Sequence, residues 1–229
     1  MLNLYRICYK KVGPMRYISH LDLLRTMERS SRRARLPLAF TEGFNPHPRI
    51  SFAAPLPVGV QGEDEYMDLE LESPMQAPVL VERLNTCLPY GLEILEAKEV
   101  NGTGPSLMGM VEQATYAAVT IRPVDIIEKR LISCIKAFME QPEVIIDKKT
   151  KKGTKAKDIR PGIVKLSGNS KEDRLFIYMI LKTGSRENVR PEEVLRALEK
   201  GYLPLNVEDF RITRTGLYAA GECTLFEEF

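Results

Sequence analysis

The alternation of hydrophobic and polar residues predicts a sheet with two helices in the first half of the chain. Residues 2–11 alternate with a period of two, which places Tyr5, Ile7 and Tyr9 on one face of a strand. Further strands are predicted over residues 49–54, 65–72 and 92–100, and helices over residues 20–35 and 76–87. This β-α-β-β-α-β order is typical of a ferredoxin-like unit.

The second half of the chain repeats this order with one additional strand. Strands are predicted over residues 115–121, 143–148, 159–166, 174–181 and 208–215, and helices over 125–139 and from Pro191 to Lys200. Residues 101–106 contain Gly and Pro and indicate a linker between the halves. The sequence therefore predicts an α+β protein with tandem ferredoxin-like domains at residues 1–102 and 112–229, the second with an extra hairpin strand.

The first predicted helix has a clear N-terminal signal and two different faces. Ser19 is a preferred N-cap residue, and Asp22 is favoured at the positive end of the helix dipole. At helical spacing, one stripe consists of Leu24, Met27, Ser31 and Ala34. The opposite face carries Arg25, Arg29, Arg32 and Arg33.

The composition is that of a globular protein, but its charges are unevenly distributed. The chain has 229 residues, of which 44% are hydrophobic and 28% charged, and a formal net charge of only +2, which argues against a protein that is basic throughout. One basic run comprises Lys148, Lys149, Lys151, Lys152, Lys155 and Lys157 and is followed by Arg160. In the first sheet, the expected cross-strand neighbours of Arg6 and Lys10 are Asp68 and Glu70. Part of the positive charge is therefore expected to be structural.

The arginine face and the lysine run each have two interpretations. Both are consistent with ordinary solvated surfaces. Both also suit phosphate binding, because the planar guanidinium group favours bidentate phosphate contacts and clustered lysines favour a nucleic-acid backbone. The lysine run contains no aromatic residue, so base stacking is not expected there.

Several kinds of chemistry are disfavoured by the sequence. The four cysteines are far apart and form no C-x-x-C pair, which excludes the usual zinc-ribbon and iron–sulfur spacings and is typical of a reducing compartment. There is no signal-peptide pattern and no apolar run of membrane-spanning length. We therefore expect a cytoplasmic protein with no intrinsic metal or cofactor and no membrane partner. The alternative is a metal site formed by His20, His47 and a carboxylate such as Asp22.

Both histidines of the chain lie close to this first helix in the sequence. His20 begins the helix, where an imidazole either packs over the sheet or transfers a proton as a general acid or base. His47 lies in the proline-restricted loop 43–48 (GFNPHP), which is either a rigid turn or a loop that presents polar groups to a ligand. The candidate catalytic residues are His20 and His47, and the candidate ligand pocket consists of Ser19, Asp22, Phe44 and Asn45.

Three motifs give the chain a family resemblance. They are residues 17–25 (YISHLDLLR), 43–48 (GFNPHP) and 54–59 (APLPVG), and the lysine run through residues 158–161 (DIRP) is also similar. Together they resemble the uncharacterised bacterial "radical SAM-linked" family over nearly the whole chain. The resemblance implies a partner enzyme of the radical S-adenosylmethionine (SAM) class. Because the chain has no Cys-x-x-x-Cys-x-x-Cys motif, that partner would carry the iron–sulfur cluster and S-adenosylmethionine.

A second resemblance is architectural. Tandem ferredoxin-like domains with a histidine at the first helix are similar to the CRISPR-repeat endoribonucleases. Those enzymes use this histidine as a general acid or base in metal-independent RNA cleavage, so the resemblance implies the same role for His20. The glycine-rich loop usual before the last strand of those enzymes is missing here, since residues 200–206 read KGYLPLN.

These observations lead to three hypotheses about function. The first is an RNA-binding accessory protein that works with a radical SAM enzyme in the modification of transfer or ribosomal RNA. The second is a metal-independent endoribonuclease that uses His20 or His47. The third is a protein-docking module for the radical SAM partner.

Overall fold

The chain forms two compact units. The computed structural model describes residues 3–102, 104–150, 153–184 and 187–226. Unit 1 consists of Met1–Glu112 and Gly216–Phe229, and unit 2 consists of Gln113–Thr215. The domains predicted from the sequence were 1–102 and 112–229, whereas the contacts place the segment from Gly216 onward in unit 1.

Unit 1 is a small antiparallel sheet with helices. Its strands are β1 (Asn3–Lys11), β2 (Ile50–Phe52), β3 (Gln61–Leu71) and β4 (Leu92–Val100), and its helices are α1 (His20–Arg33), α2 (Ala77–Asn85) and the short α3 (Leu107–Met110). A 3₁₀ turn, Gly13–Tyr17, links β1 to α1. The strands are ordered β4-β1-β3, and β2 pairs with β3. The predicted elements are all present, with boundaries that differ by a few residues.

Helix α1 packs its apolar stripe on the sheet of unit 1. Its buried residues are Leu23, Met27, Ser30 and Ser31, and Ala34 at its C-terminal end is also buried. The predicted stripe is therefore rotated slightly, and Leu24 is only partly buried against the core. On the buried side, the Ser30 hydroxyl donates a hydrogen bond to the carbonyl oxygen of Cys87 over 3.2 Å.

The second face of this sheet buries an ion pair. The Arg6 guanidinium donates to both carboxylate oxygens of Asp68, over 2.9 and 3.1 Å, and also to the carbonyl oxygen of Leu225 over 2.6 Å. The predicted cross-strand pair is thus confirmed, and it also anchors the C-terminal segment. Lys10 instead approaches Glu93 at 3.8 Å. The register explains this change, because it places Glu70 opposite Leu4, far from Lys10.

Unit 2 has more strands than unit 1. They are β5 (Gln113–Thr120), β6 (Ile145–Thr150), β7 (Gly153–Asp158), β8 (Ile163–Lys171), β9 (Arg174–Lys182) and β10 (Phe210–Tyr218), of which the last continues beyond Thr215 into the residues of unit 1. The helices are α4 (Glu128–Met139) and α5 (Pro191–Gly201). The order within the sheet is β10-β5-β9-β8, while β6 and β7 form a separate two-stranded sheet. Both units are thus of mixed α+β construction.

The lysine run was predicted as a loop, but the structure places most of it in β-strands. Most of it lies in the β6–β7 hairpin, with Lys148 and Lys149 in β6 and Lys155 and Lys157 in β7. Lys151 and Lys152 fall outside the described residues. Segment 159–166, predicted as a strand, begins instead with a 3₁₀ turn at Arg160–Gly162, because Pro161 lacks the N–H group that a ladder requires.

Membrane crossing by a helix is not possible in the part of the chain that the structure describes. No helix there has the length and apolar character that a bilayer span requires.

The buried Arg6–Asp68 pair gives a stability prediction. Replacing Asp68 by Ala leaves a buried guanidinium without its carboxylate, so we expect the free energy of unfolding to fall by about 3–5 kcal/mol. Urea unfolding followed by circular dichroism measures the change.

The matched control for this prediction is Glu93→Ala. It removes the exposed Lys10–Glu93 pair and should cost less than about 1 kcal/mol. The double variant Arg6→Leu/Asp68→Leu should be less destabilised than Asp68→Ala, because it leaves no unpaired charge. Equal stability of the Asp68→Ala and Glu93→Ala variants would contradict the assigned role.

Candidate functional site

The N-terminal end of α1 brings three predicted site residues together. Ser19 has an extended backbone and caps the helix, and its hydroxyl oxygen accepts a hydrogen bond from the Asp22 backbone N–H over 3.2 Å. The same hydroxyl donates to the Asp22 carboxylate over 2.6 Å. The carboxylate also lies 3.6 Å from Arg25. Ser19 and Asp22 therefore organise the start of the helix around His20.

His20 is partly buried beside an aromatic ring and a buried amine. Its imidazole meets Phe52 edge to face, with the ring centroids 5.1 Å apart. Burial lowers the pKa of His20 from its ordinary value, and the nearby Lys11 ammonium lowers it further. Lys11 is itself almost completely buried and donates to the carbonyl oxygen of Ile18 over 3.2 Å. Both effects favour the neutral imidazole, which is the form required of a general base.

The predicted GFNPHP loop is an exposed hairpin tip. A bridge between Phe40 and Pro48 closes its base, and the Thr41 N–H donates to the His47 carbonyl oxygen over 2.9 Å. The His47 N–H donates in return to the Thr41 hydroxyl over 3.1 Å. Gly43 has a φ of +116°, which only glycine adopts without strain. These contacts close the base of the loop.

The residues of this tip do not join the His20 cluster. Phe44, Asn45 and His47 are all exposed, and the Phe44 side chain is fully exposed. Among the described residues, no hydrogen bond or ring contact connects His47 to His20. The predicted ligand pocket therefore comprises two separate groups of residues, one at the start of α1 and one at the loop tip.

The arginines predicted on the outer face of α1 are all exposed. Arg25 pairs with Asp22, and Arg32 lies over the Phe40 ring with 5.3 Å to its centroid. Arg33 is tied to the end of α2, since it donates to the Cys87 carbonyl oxygen. In the described part of the chain, Arg29 has no ion pair. Arg29 is consequently the arginine on this face with the least structural engagement.

The basic residues of unit 2 divide into two groups. Lys157 donates to Glu193 over 2.8 Å and to the Asn188 carbonyl oxygen over 2.7 Å. Arg160 donates to the Met139 carbonyl oxygen at the end of α4. These two residues hold the base of the hairpin in place. The exposed group lies further along the hairpin and includes Lys148 and Lys155.

A polar cluster that the sequence reasoning missed lies on the second face of the unit 1 sheet. The Cys8 thiol donates to Asp64 over 2.8 Å, and the Tyr66 hydroxyl donates to the same carboxylate over 3.4 Å. Burial, followed by the Asp64 carboxylate, raises the pKa of both Cys8 and Tyr66 far above ordinary values. The thiol therefore stays protonated and is unsuited to nucleophilic attack. The alternation of Cys8 with Ile7 and Tyr9 along β1 was the available sequence signal, because it places the thiol on the face away from the helices.

A second missed feature lies in β9. The sequence reasoning treated residues 174–181 as one apolar strand and did not separate its two faces. The structure buries Leu175 and Ile177, whereas Tyr178 is exposed on the opposite face. The alternation along the strand was the signal that distinguishes these faces.

Within the described ranges, no three His, Cys, Asp or Glu side chains come together as a group that could hold a metal ion.

The sequence of the chain matches the model of one protein family. The chain belongs to the family described as "Uncharacterized protein conserved in bacteria (DUF2344)", whose model matches residues 4–191. A comparison with curated proteins finds no match.

Two solved structures are similar to the chain. A chain of a "Cbf5-Nop10-Gar1 Complex" superimposes with a TM-score of 0.51 and 10% identity, over 93% of this chain and 48% of that chain. This chain thus spans about half of that protein, and at this identity the similarity concerns only the α+β fold. An "Unknown Protein from Galdieria sulphuraria" has a TM-score of 0.27 and 10% identity, over 94% of this chain and 98% of that chain, which supports no structural argument.

The environment of His20 gives a prediction about pH. The His20 pKa in the folded protein lies below its ordinary value of 6.5. At a pH between these two values, the imidazole is protonated more in the unfolded chain than in the folded chain. The free energy of unfolding therefore decreases as the pH falls through this interval, and the contribution of His20 is fully present above pH 6.5. An NMR titration of the imidazole protons measures the pKa, and the His47→Gln variant assigns the two histidine signals.

The His20→Gln variant tests the link to stability. It should show a smaller loss of stability between neutral and mildly acidic pH than the unmodified chain. A His20 signal that titrates above the ordinary value would contradict the burial argument.

Proposed function

We propose that this protein is an RNA-binding accessory protein that works with a radical SAM enzyme in the modification of transfer or ribosomal RNA. The observation that carries the RNA-binding part is the pair Lys148 and Lys155, which lie directly opposite each other in the β6–β7 hairpin. Both side chains are exposed.

Two like charges in this position destabilise a hairpin. Side chains directly opposite each other in an antiparallel pair have Cβ atoms roughly 5 Å apart, and like charges there repel. The carboxylate of Asp147 does not neutralise these two lysines. Asp147 lies opposite Ala156, and both side chains point to the other face of the hairpin. Within the described residues, neither Lys148 nor Lys155 has an ion-pair partner. A polyanion such as a phosphate backbone offsets this repulsion.

The hairpin is built as a basic arm. It forms its own two-stranded sheet, and two strands alone are marginally stable. Its base is fixed by the Lys157–Glu193 ion pair and by the Val144 N–H, which donates to Asp158 over 2.8 Å. The exposed lysines thus lie on a segment held at one end. In this proposal, Lys157 and Arg160 position the arm, and Lys148, Lys149, Lys151, Lys152 and Lys155 contact phosphates.

A second basic surface supports the same proposal. The exposed face of α1 in unit 1 carries Arg25, Arg29, Arg32 and Arg33. The guanidinium groups of this face suit phosphate oxygens better than lysine does, because they donate two parallel hydrogen bonds. Arg29 in particular is available for such a contact.

The finer description of the fold belongs to this proposal. We take each unit as ferredoxin-like because its strand order matches the β-α-β-β-α-β topology, with the fourth strand beside the first and the third strand on the other side. The β6–β7 hairpin is then an insertion in the second unit. Such a sheet is a common scaffold for RNA recognition.

The partner in this proposal is inferred from the three motifs in residues 17–25, 43–48 and 54–59. Those motifs resemble the "radical SAM-linked" family, and the chain has no cysteine motif for a cluster of its own. The partner enzyme would supply the iron–sulfur cluster and S-adenosylmethionine. The exposed tip with Phe44, Asn45 and His47 is available to contact such a partner or its substrate.

Charge removal on the hairpin tests the RNA-binding proposal. We expect the affinity for total cellular RNA to fall steeply with salt. The Lys148→Gln/Lys155→Gln variant should reduce the slope of log affinity against log salt by about 1.4 to 1.8, because each phosphate contact contributes roughly 0.7 to 0.9. Filter binding across a salt series measures both slopes.

The matched control is Lys129→Gln/Lys200→Gln. It removes the same charge from exposed positions on α4 and α5, and it should leave the slope unchanged. Equal slopes for the two double variants would exclude the hairpin as the RNA contact. No RNA binding at low salt, together with binding to a radical SAM enzyme, would favour the docking function instead.

His20 supports a second candidate function, a metal-independent endoribonuclease. Burial and the nearby Lys11 ammonium lower the pKa of His20, which favours an imidazole that accepts a proton next to a buried cation. In this case RNA is cleaved in the presence of a chelator, and His20→Ala abolishes cleavage. Gel analysis of end-labelled RNA measures the cleavage. RNA that stays intact with the unmodified chain would exclude the endoribonuclease function.

A further inference from the structure

The two faces of the unit 2 sheet are chemically different. Strand β9 buries alternate residues on one face, namely Leu175, Ile177, Met179 and Leu181. The intervening residues share the opposite face, which we call the open face, and they are Arg174, Phe176, Tyr178, Ile180 and Lys182. The open face therefore carries two aromatic residues in the middle of a strand, with a basic residue at each end.

The aromatic side chains lie among small neighbours. Tyr178 is 43% exposed, and Phe176 is partly exposed. The register places Tyr178 between Ala117 on β5 and Ser167 on β8. These side chains are too short to cover the tyrosine ring, so its surface remains accessible.

The polar groups around the rings complete a binding surface. Asn169 lies opposite Phe176 on β8, and both Asn169 and Ser167 are exposed. Their hydrogen-bonding groups lie beside the two rings. A planar ligand stacked on a ring would find donors and acceptors at its edge.

The charge of the open face is positive. Its basic residues are Lys165, Lys171, Arg174, Lys182 and Arg211. Lys171 and Lys182 approach glutamates outside the strands, at 3.8 and 3.2 Å. In the described part of the chain, Lys165, Arg174 and Arg211 have no ion pair. No open-face position of β5, β8, β9 or β10 is acidic. The surface is therefore complementary to an anion that has apolar, planar parts.

This combination matches single-stranded RNA. Unpaired bases stack on exposed aromatic rings, while the phosphates bind surrounding cations. Four-stranded sheets with aromatic residues on a central strand are a common way of binding two or three such bases. In duplex RNA the bases are already paired and stacked, so their faces are unavailable. The surface thus favours an unpaired segment.

We propose that the open face of unit 2 binds two consecutive unpaired bases of RNA by stacking them on Phe176 and Tyr178. Arg174 and Lys165 contact the adjoining phosphates, and Ser167 and Asn169 contact base edges. The inference rests on the proposed RNA-binding function and specifies its substrate class as RNA with a single-stranded segment.

Substitutions at Tyr178 test the stacking directly. The probe is a short fluorescein-labelled oligouridylate, compared with an RNA duplex of the same length. Loss of one stacked base costs roughly 5- to 150-fold in affinity, so Tyr178→Ala should weaken oligouridylate binding at least about 5-fold. Tyr178→Phe keeps the ring and should retain affinity within about 3-fold. The salt slope should stay the same for both variants, because no phosphate contact is lost.

Controls separate stacking from folding. Phe176→Leu keeps most of the buried bulk at this partly exposed position and should also weaken binding. Tyr90→Ala removes a tyrosine that is 86% exposed in unit 1 and should have no effect. Thermal unfolding of each variant verifies that the fold is retained. If Tyr178→Ala proves unfolded, Tyr178→Leu replaces it with a similar volume and no aromatic ring.

Ultraviolet crosslinking locates the contact. Trypsin cleaves after Arg174 and Lys182, so a crosslink to either aromatic residue appears as a mass shift of the peptide Leu175–Lys182. This result is expected with oligouridylate. The Tyr178→Ala variant could instead bind RNA with normal, salt-dependent affinity while this peptide shows no crosslink. That result would overturn base stacking on the open face and leave the proposed RNA-binding function standing. Absence of RNA binding by the unmodified chain would overturn both.

Discussion

The pleat of the β-strand is the constraint on which the rest of this structure depends. Successive side chains point to opposite faces of the sheet. Every strand that buries apolar side chains on one face therefore presents its intervening side chains on the other. In each unit the helices cover one face of the sheet. The two units differ in what lies on the other face.

The two units treat this second face differently. In unit 1 it holds Arg6 and Asp68, whose burial is possible because their charges are paired and because the guanidinium also binds the C-terminal segment at Leu225. In unit 2 the same kind of face carries Phe176 and Tyr178 and stays accessible. In unit 1 the charges are paired and buried, whereas in unit 2 the rings lie on an accessible face with basic residues at both ends of β9.

Basic residues likewise serve two purposes. Lys157 and Arg160 are engaged by Glu193 and by backbone carbonyl groups, so they maintain the structure. Lys148 and Lys155 are exposed and lie opposite each other in the hairpin, where like charges repel. The net charge of the chain conceals this division, because the sum counts paired and unpaired cations alike.

The sequence alone determined the type and order of most elements, though not of α3 and β7, and several local features. Periodicity located the strands, Ser19 marked the start of α1, and Pro191 marked the start of α5, because these signals depend only on neighbouring residues. It also predicted the Arg6–Asp68 pair, because strand order makes β1 and β3 neighbours, whereas the partner of Lys10 depended on the register. The exposure of the arginine face followed from helical spacing in the same way.

Tertiary structure decided which residues meet and which remain accessible. His20 and His47 are near in sequence but belong to separate groups, because the hairpin tip is closed at its own base by the Phe40–Pro48 bridge. The lysine run became two strands rather than a loop, and only the packing of its base distinguishes Lys157 from Lys155. Burial of a strand depends on what covers each face, and that information lies in distant segments of the chain.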